Sequence, residues 1–206
     1  MDSVSIIFII WSVLNFLILN CSRDFGNINN IEQTYLYMAG LLFNIINGLS
    51  RLLWGFLLDK LKFKKLMFLI TIIEILVGSS IYFMVKFKYV YVIELLLVSV
   101  CIGGSFSILS PTFVEIYGLL VGPELYGLTG ASISVSSLLG PLLIKLISIF
   151  EYFYLIAFLI GAGFCVIKLI TLFLFDENKK MYGDFNHKKN MDVEMSNNSF
   201  SISESE

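Results

Sequence analysis

Six long apolar stretches constrain this chain more than any other feature. They lie at roughly 3–20, 34–58, 66–86, 89–110, 126–149 and 152–175, and each approaches or exceeds the ~20 residues that carry a helix across a bilayer. Backbone polar groups in hydrocarbon must be satisfied within the segment itself, so stretches of this length read as helices. The composition agrees. Of 206 residues, 57% are hydrophobic and 15% charged, against about 45–50% and 25% in soluble domains. The expected fold is all-α and integral to the membrane, with six transmembrane helices over 1–175 and a polar tail over 176–206.

Charge sets the orientation. With six spans, the termini, the second–third loop and the fourth–fifth loop share one side. That side carries Lys60, Lys62, Lys64, Lys65, Lys179, Lys180, Lys188 and Lys189, and the other carries Arg23, Lys86, Lys88 and Lys145. The positive-inside rule then places both termini in the cytoplasm. The first stretch lacks a basic leader region and is expected to remain as a helix, not to be removed as a signal peptide. The tail has few aromatics and ends in serine, asparagine and glutamate. It cannot bury enough apolar surface to offset the entropy of ordering, so disorder is expected there.

Several functions are set aside by what the chain contains. Cys21, Cys101 and Cys165 are scattered without metal-ligand spacing and are expected as buried thiols. The single histidine, His187, lies in the tail. There is no phosphate-binding loop and no nucleophile–base set. The chain is not expected to be an enzyme, nor to need a cofactor, a metal or a nucleic-acid partner. Its first partner is the lipid bilayer.

The second stretch carries the chemistry. Asn47, Arg51, Gly55 and Asp59 recur every four residues, which draws a slanted stripe along one side of a helix, with Asn44 near its upper end. Arg51 lies about 12 Å along the helix from Asp59, at ~1.5 Å per residue. An arginine at such depth costs roughly 2.5–3.5 kcal/mol by insertion scales. Its planar fork of donors suits a carboxylate. That carboxylate is either a ligand's or that of Glu74 or Glu94, unless the arginine partly snorkels, and these two acids are themselves candidates for proton coupling. Lys145 and Lys168, nearer helix ends, are expected to snorkel to the headgroups.

Further along, Pro111 is expected to end the fourth helix, because proline removes a backbone donor, and 112–124 is expected to form a helix end and loop. The fifth stretch is rich in small residues, among them Gly127, Gly130, Ser132, Ser136 and Gly140 before Pro141. These serve close packing, cavity lining, or both on different faces. Short loops make consecutive helices the expected neighbours.

Gly55-xxx-Asp59-Lys60-xxx-Lys64-Lys65 resembles the signature loop of the major facilitator superfamily, which joins the second and third helices of each six-helix half on the cytoplasmic side. Lys62 stands where that family prefers glycine, and Phe63 where it often has a basic residue. Asn47-xxx-Arg51-xxx-Gly55-xxx-Asp59 resembles a narrower group, the oxalate/formate antiporter-like and monocarboxylate transporters, whose eighth helix carries a substrate-binding arginine. Tyr126-Gly127 with Gly140-Pro141 is similar to that group's eleventh helix. The resemblance implies the C-terminal half of a carrier that moves a small organic anion by alternating access. It assigns substrate contact to Arg51, Asn47, Asn44, Ser132 and Ser136, and a gate to Gly55, Asp59, Lys60, Lys64 and Lys65. Ser132 stands where oxalate-type antiporters carry lysine, which favours a monocarboxylate. A second six-helix half is implied, as a homodimer partner or a separate chain, unless the chain is a truncated gene product. The alternative is a pseudo-transporter serving as a membrane assembly or receptor subunit.

Overall fold

The computed structural model describes residues 21–147, 149 and 152–174. The first expected span, 3–20, and the tail, 176–206, lie outside the described residues. Helix α1 is described over 21–28, followed by α2 (Gln33–Leu58), α3 (Phe63–Met84), α4 (Lys88–Ile147) and α5 (Phe153–Leu174). Among the described residues, four helices are long and apolar enough to cross a membrane. The turn after α1 is closed by Asn30, whose φ of 58° is one that asparagine tolerates better than most residues. Ile31 N–H then reaches the Gly26 carbonyl and Asn30 N–H the Asn27 carbonyl, at 3.0 and 3.1 Å. This bond pair caps a helix C-terminus.

The fourth and fifth stretches depart from expectation. They form one 60-residue helical element, bent at Gly118 (φ 82°, ψ 168°). Pro111, the expected stop, lies inside the first arm. Proline removes one backbone donor, a loss that membrane helices tolerate, and the helix runs on through it. The chain breaks at Gly118 because those dihedrals are open essentially to glycine alone. The returning arm then presses on the first, since a Cβ at Gly122 would lie 2.8 Å from both Phe113 O and Val114 Cα. The expected loop at 112–124 is therefore replaced by a tight bend.

Neighbour order also differs from the sequence order. Helix α2 packs chiefly on α4, α4 on α3, and α3 on α5, while α2 and α3 barely touch despite their short connection. The cause is Gly103-Gly104. A Cβ at Gly103 would strike Ser50 Oγ and come within 2.6 Å of the Asn47 carbonyl, and one at Gly104 would lie 2.7 Å from Trp54 Nε1. Two adjacent glycines thus make a shallow place on α4 into which α2 fits.

Two apolar clusters fill the bundle. One gathers Trp54, Met67, Ile70, Ile108 and Phe113; the other gathers Phe25, Ile81, Tyr91, Val98 and Phe158. Between them along α3, Glu74 Oε2 accepts a hydrogen bond from Lys168 Nζ at 2.9 Å, with the side chains 1% and 0% exposed. Lys168 therefore does not snorkel. Ala157, Gly161, Ala162, Cys165, Lys168 and Leu172 are the buried side of α5, so the face it occupies overrides its nearness to the helix end. The Cys165 thiol adds a 3.6 Å contact to the same Glu74 oxygen, and all three cysteines are buried and free, as expected.

Two predictions follow from this packing. Gly103→Ala will force α2 and α4 apart and cost about 1–3 kcal/mol, the usual penalty of overpacking, whereas Gly40→Ala, with open space around it, will leave the melting temperature near wild type. Glu74→Gln or Lys168→Met alone will cost about 3–5 kcal/mol by stranding a buried charge, while Glu74→Leu combined with Lys168→Met will recover most of it. Thermal melts of the purified chain in one detergent check both.

Candidate functional site

The site is built on the α2–α4 seam. Hydrogen bonds cross this seam at four levels. Ser99 Oγ donates to the Phe43 carbonyl, Asn47 Nδ2 to the Ser99 carbonyl (3.3 Å), Trp54 Nε1 to the Val100 carbonyl (3.1 Å) and Ser107 Oγ to the Arg51 carbonyl (2.8 Å). Every one joins a side chain to a backbone carbonyl on the other helix, so the contact fixes both rotation and depth. Such interhelical bonds are worth about 0.6–2 kcal/mol each in a membrane.

Arg51 stands where this seam meets the open side of α2. Its side chain is exposed, and its guanidinium carbon lies 5.3 Å from the centroid of the Phe106 ring on α4. An aromatic face attracts a cation without consuming its hydrogen-bond donors. Neither acid proposed as an internal partner takes it, since Glu74 is bound by Lys168 and Glu94 by Ser80. Among the described residues no carboxylate pairs with Arg51. The nearer part of the second arm of α4 contributes Tyr126, on which the Arg51 charge acts and whose ring lies 5.9 Å from that of Phe113.

The other expected substrate residues divide. Asn47 is partly buried and its amide is spent on the α4 backbone, which makes it a seam residue as well as a neighbour of Arg51. Asn44 is exposed and donates to the Gly40 carbonyl at 3.0 Å. It also borders a cavity of about 200 Å³ with Arg23, Leu36, Phe43 and Leu95. Ser132 and Ser136 lie in the second arm of α4, but their side chains are outside the described residues.

The expected gate residues occupy the loop between α2 and α3. Asp59 caps the C-terminal end of α2, with its N–H on the Gly55 carbonyl at 3.3 Å. Lys60 folds back so that Nζ lies 4.1 Å from the Phe56 ring centroid. Lys64 Nζ donates to the Phe173 carbonyl at 3.1 Å, placing a cation on the last turn of α5, where the helix dipole favours it. Lys65 is exposed. A Cβ at Gly55 would meet Ser107 Oγ at 3.5 Å, an ordinary contact, so packing does not by itself require glycine there.

Reading the sequence alone missed Phe106, Ser107 and the Glu74–Lys168 pair. The signal for the first two was Gly103-Gly104, which fixes where α2 can approach and therefore which residues one turn later meet Arg51.

Apolar spans packed side by side, with an arginine exposed on α2, are those of a multi-pass membrane protein. The chain belongs to the Major Facilitator Superfamily, whose family profile matches residues 3–195. No curated protein matches the chain closely enough to stand as a relative.

Proposed function

We propose that this protein forms half of a carrier that moves a small organic anion, of the monocarboxylate kind, across a membrane by alternating access. The observation that carries the reading is Arg51. It is a cation about 10 Å inside the C-terminal end of α2, exposed, resting on the Phe106 ring and free of any carboxylate among the described residues. A charge so placed is expensive in hydrocarbon and is by default part of a ligand path. The guanidinium keeps its planar fork of donors for a bidentate carboxylate, and Asn44, Asn47, Ser132 and Ser136 would complete the polar lining. In this reading Gly55, Asp59, Lys60, Lys64 and Lys65 form the gate, rearranging as one half rocks against the other.

Exposure of α2 supports the second half. Only 11% of its apolar span is buried, against 44% for α3, 56% for the Lys88–Leu128 span and 39% for α5. A face that bears Arg51 and Asn44 is poorly suited to lipid. We propose that another six-helix half covers it, either a second copy of this chain or a separate one.

Uptake into proteoliposomes of labelled pyruvate, lactate, formate and oxalate tests the proposal. Saturable uptake of a monocarboxylate, falling roughly ten- to a hundredfold in Arg51→Ala as a charged hydrogen-bonding partner is lost (about 1.5–3 kcal/mol), is the expected result. Folded protein with no uptake, alone or with a candidate partner half, would instead favour a non-transporting assembly or receptor subunit.

A further inference from the structure

Glu74 and Glu94 sit in unlike surroundings. Glu74 has the Lys168 ammonium against it. Glu94, on the first arm of α4, is 7% exposed and pairs with no cation among the described residues. Its Oε1 lies 2.6 Å from Ser80 Oγ on α3, and its buried Oε2 has no hydrogen-bond partner among the described residues.

Counting protons at Ser80 separates two ways of making that contact. The Ser80 hydroxyl also lies 2.8 Å from the Leu76 carbonyl one turn back, the usual acceptor for a serine inside a helix. A hydroxyl owns one proton. If Ser80 gives it to Leu76, the 2.6 Å contact is a hydrogen bond only when Glu94 supplies the other proton, and 2.6 Å falls within the range for O–H···O bonds. Oε2 is without a partner in either form, but an ionised Glu94 would add a buried charge with no cation among the described residues, which is the costly arrangement.

We propose that Glu94 is a proton-binding site of the bundle. In this conformation it is a carboxylic acid donating from Oε1 to Ser80 Oγ, while Ser80 donates to the Leu76 carbonyl. The two bonds form a relay across the α3–α4 contact. The groups around it leave the proton there. Tyr91, one turn earlier on α4, has its hydroxyl on the Ser22 carbonyl of α1. Glu74, further along α3, and Lys168 from α5 neutralise each other. Separation of α3 from α4 at this level would admit water, and the acid would then release one proton to it and become a carboxylate. Proton binding is thus tied to helix position, and this holds whether or not the chain carries an organic anion.

Infrared spectroscopy of the full chain in lipid tests this without any transport. The wild-type spectrum at neutral pH should contain a carboxylic-acid C=O stretching band that is lost in Glu94→Gln and kept in Glu74→Gln. Ser80→Ala should keep the band and move it to higher frequency, because a hydrogen bond to the acid is removed. A wild type and Glu94→Gln that differ only in carboxylate bands would overturn the proposal. Should Glu94→Gln fail to fold, Ser80→Ala decides by itself, since an unmoved band overturns the relay.

Discussion

The close approach of α2 to α4 at Gly103-Gly104 is the constraint on which the rest depends. Lipid chains are as apolar as leucine, so helices in a bilayer gain little from hiding apolar surface against one another. What holds them is dense packing and hydrogen bonding. Here the missing side chains at 103 and 104 admit Ser50 and Trp54 to the α4 backbone, and that nearness lets Asn47, Trp54, Ser99 and Ser107 reach carbonyls on the opposite helix. One residue of slip would turn α2 by about 100°, break every one of these bonds and carry Arg51 away from Phe106. Site geometry and seam geometry are the same fact.

The buried polar groups work differently at two levels of α3. Glu74 and Lys168 join two helices through opposite charges in surroundings where neither is at ease alone. A pair of that kind adds little net stability compared with apolar side chains, but it penalises any rotation of α5 that would strand one partner. Glu94 and Ser80 add to the apolar packing of α3 on α4 one short polar contact with no balancing charge among the described residues. The first link resists change in either direction, while the second, on the proposal above, depends on one proton. Helix α3 is thus held to α5 by a charge pair and to α4 by apolar packing plus this one polar contact.

Much of this architecture could be read from the sequence, for definite reasons. The bounds of α2, α3 and α5 came close because bilayer thickness imposes a length on apolar segments and leaves little choice. Arg51 stood out because its cost in hydrocarbon is large whatever surrounds it. Errors arose where a local rule met a tertiary one. Pro111 stops helices in water, where unsatisfied carbonyls are readily hydrated and the chain is free to turn; inside a bundle the helix ran on until Gly118, where the returning arm required dihedrals that only glycine adopts. Lys168 looked like a snorkelling residue because distance to the helix end was weighed without the helix face. The small residues at 157, 161 and 162 mark that face as packed, and Lys168 continues it. The pairing of α2 with α4 depended on reading Gly103-Gly104 as a docking place, which periodicity alone does not disclose.

A cation on an exposed helix face raises the question of what that face meets. Lipid is a poor answer for Arg51, since the energy of leaving a guanidinium in hydrocarbon exceeds what one aromatic ring returns: a cation–π contact gives about 0.5–2 kcal/mol against roughly 2.5–3.5 for the charge. Snorkelling is a poor answer too, because the side chain would have to reach past Phe56 and Asp59 to the end of α2. Water is adequate, and so is an anion, and both require a cavity that something else must close. The seam to α4 holds Arg51 against the Phe106 ring at the edge of the exposed side of α2. The opposite wall has to come from elements beyond α2–α5. The sparse burial of α2 is therefore the counterpart of its arginine: the side that carries the charge is the side the described helices leave uncovered.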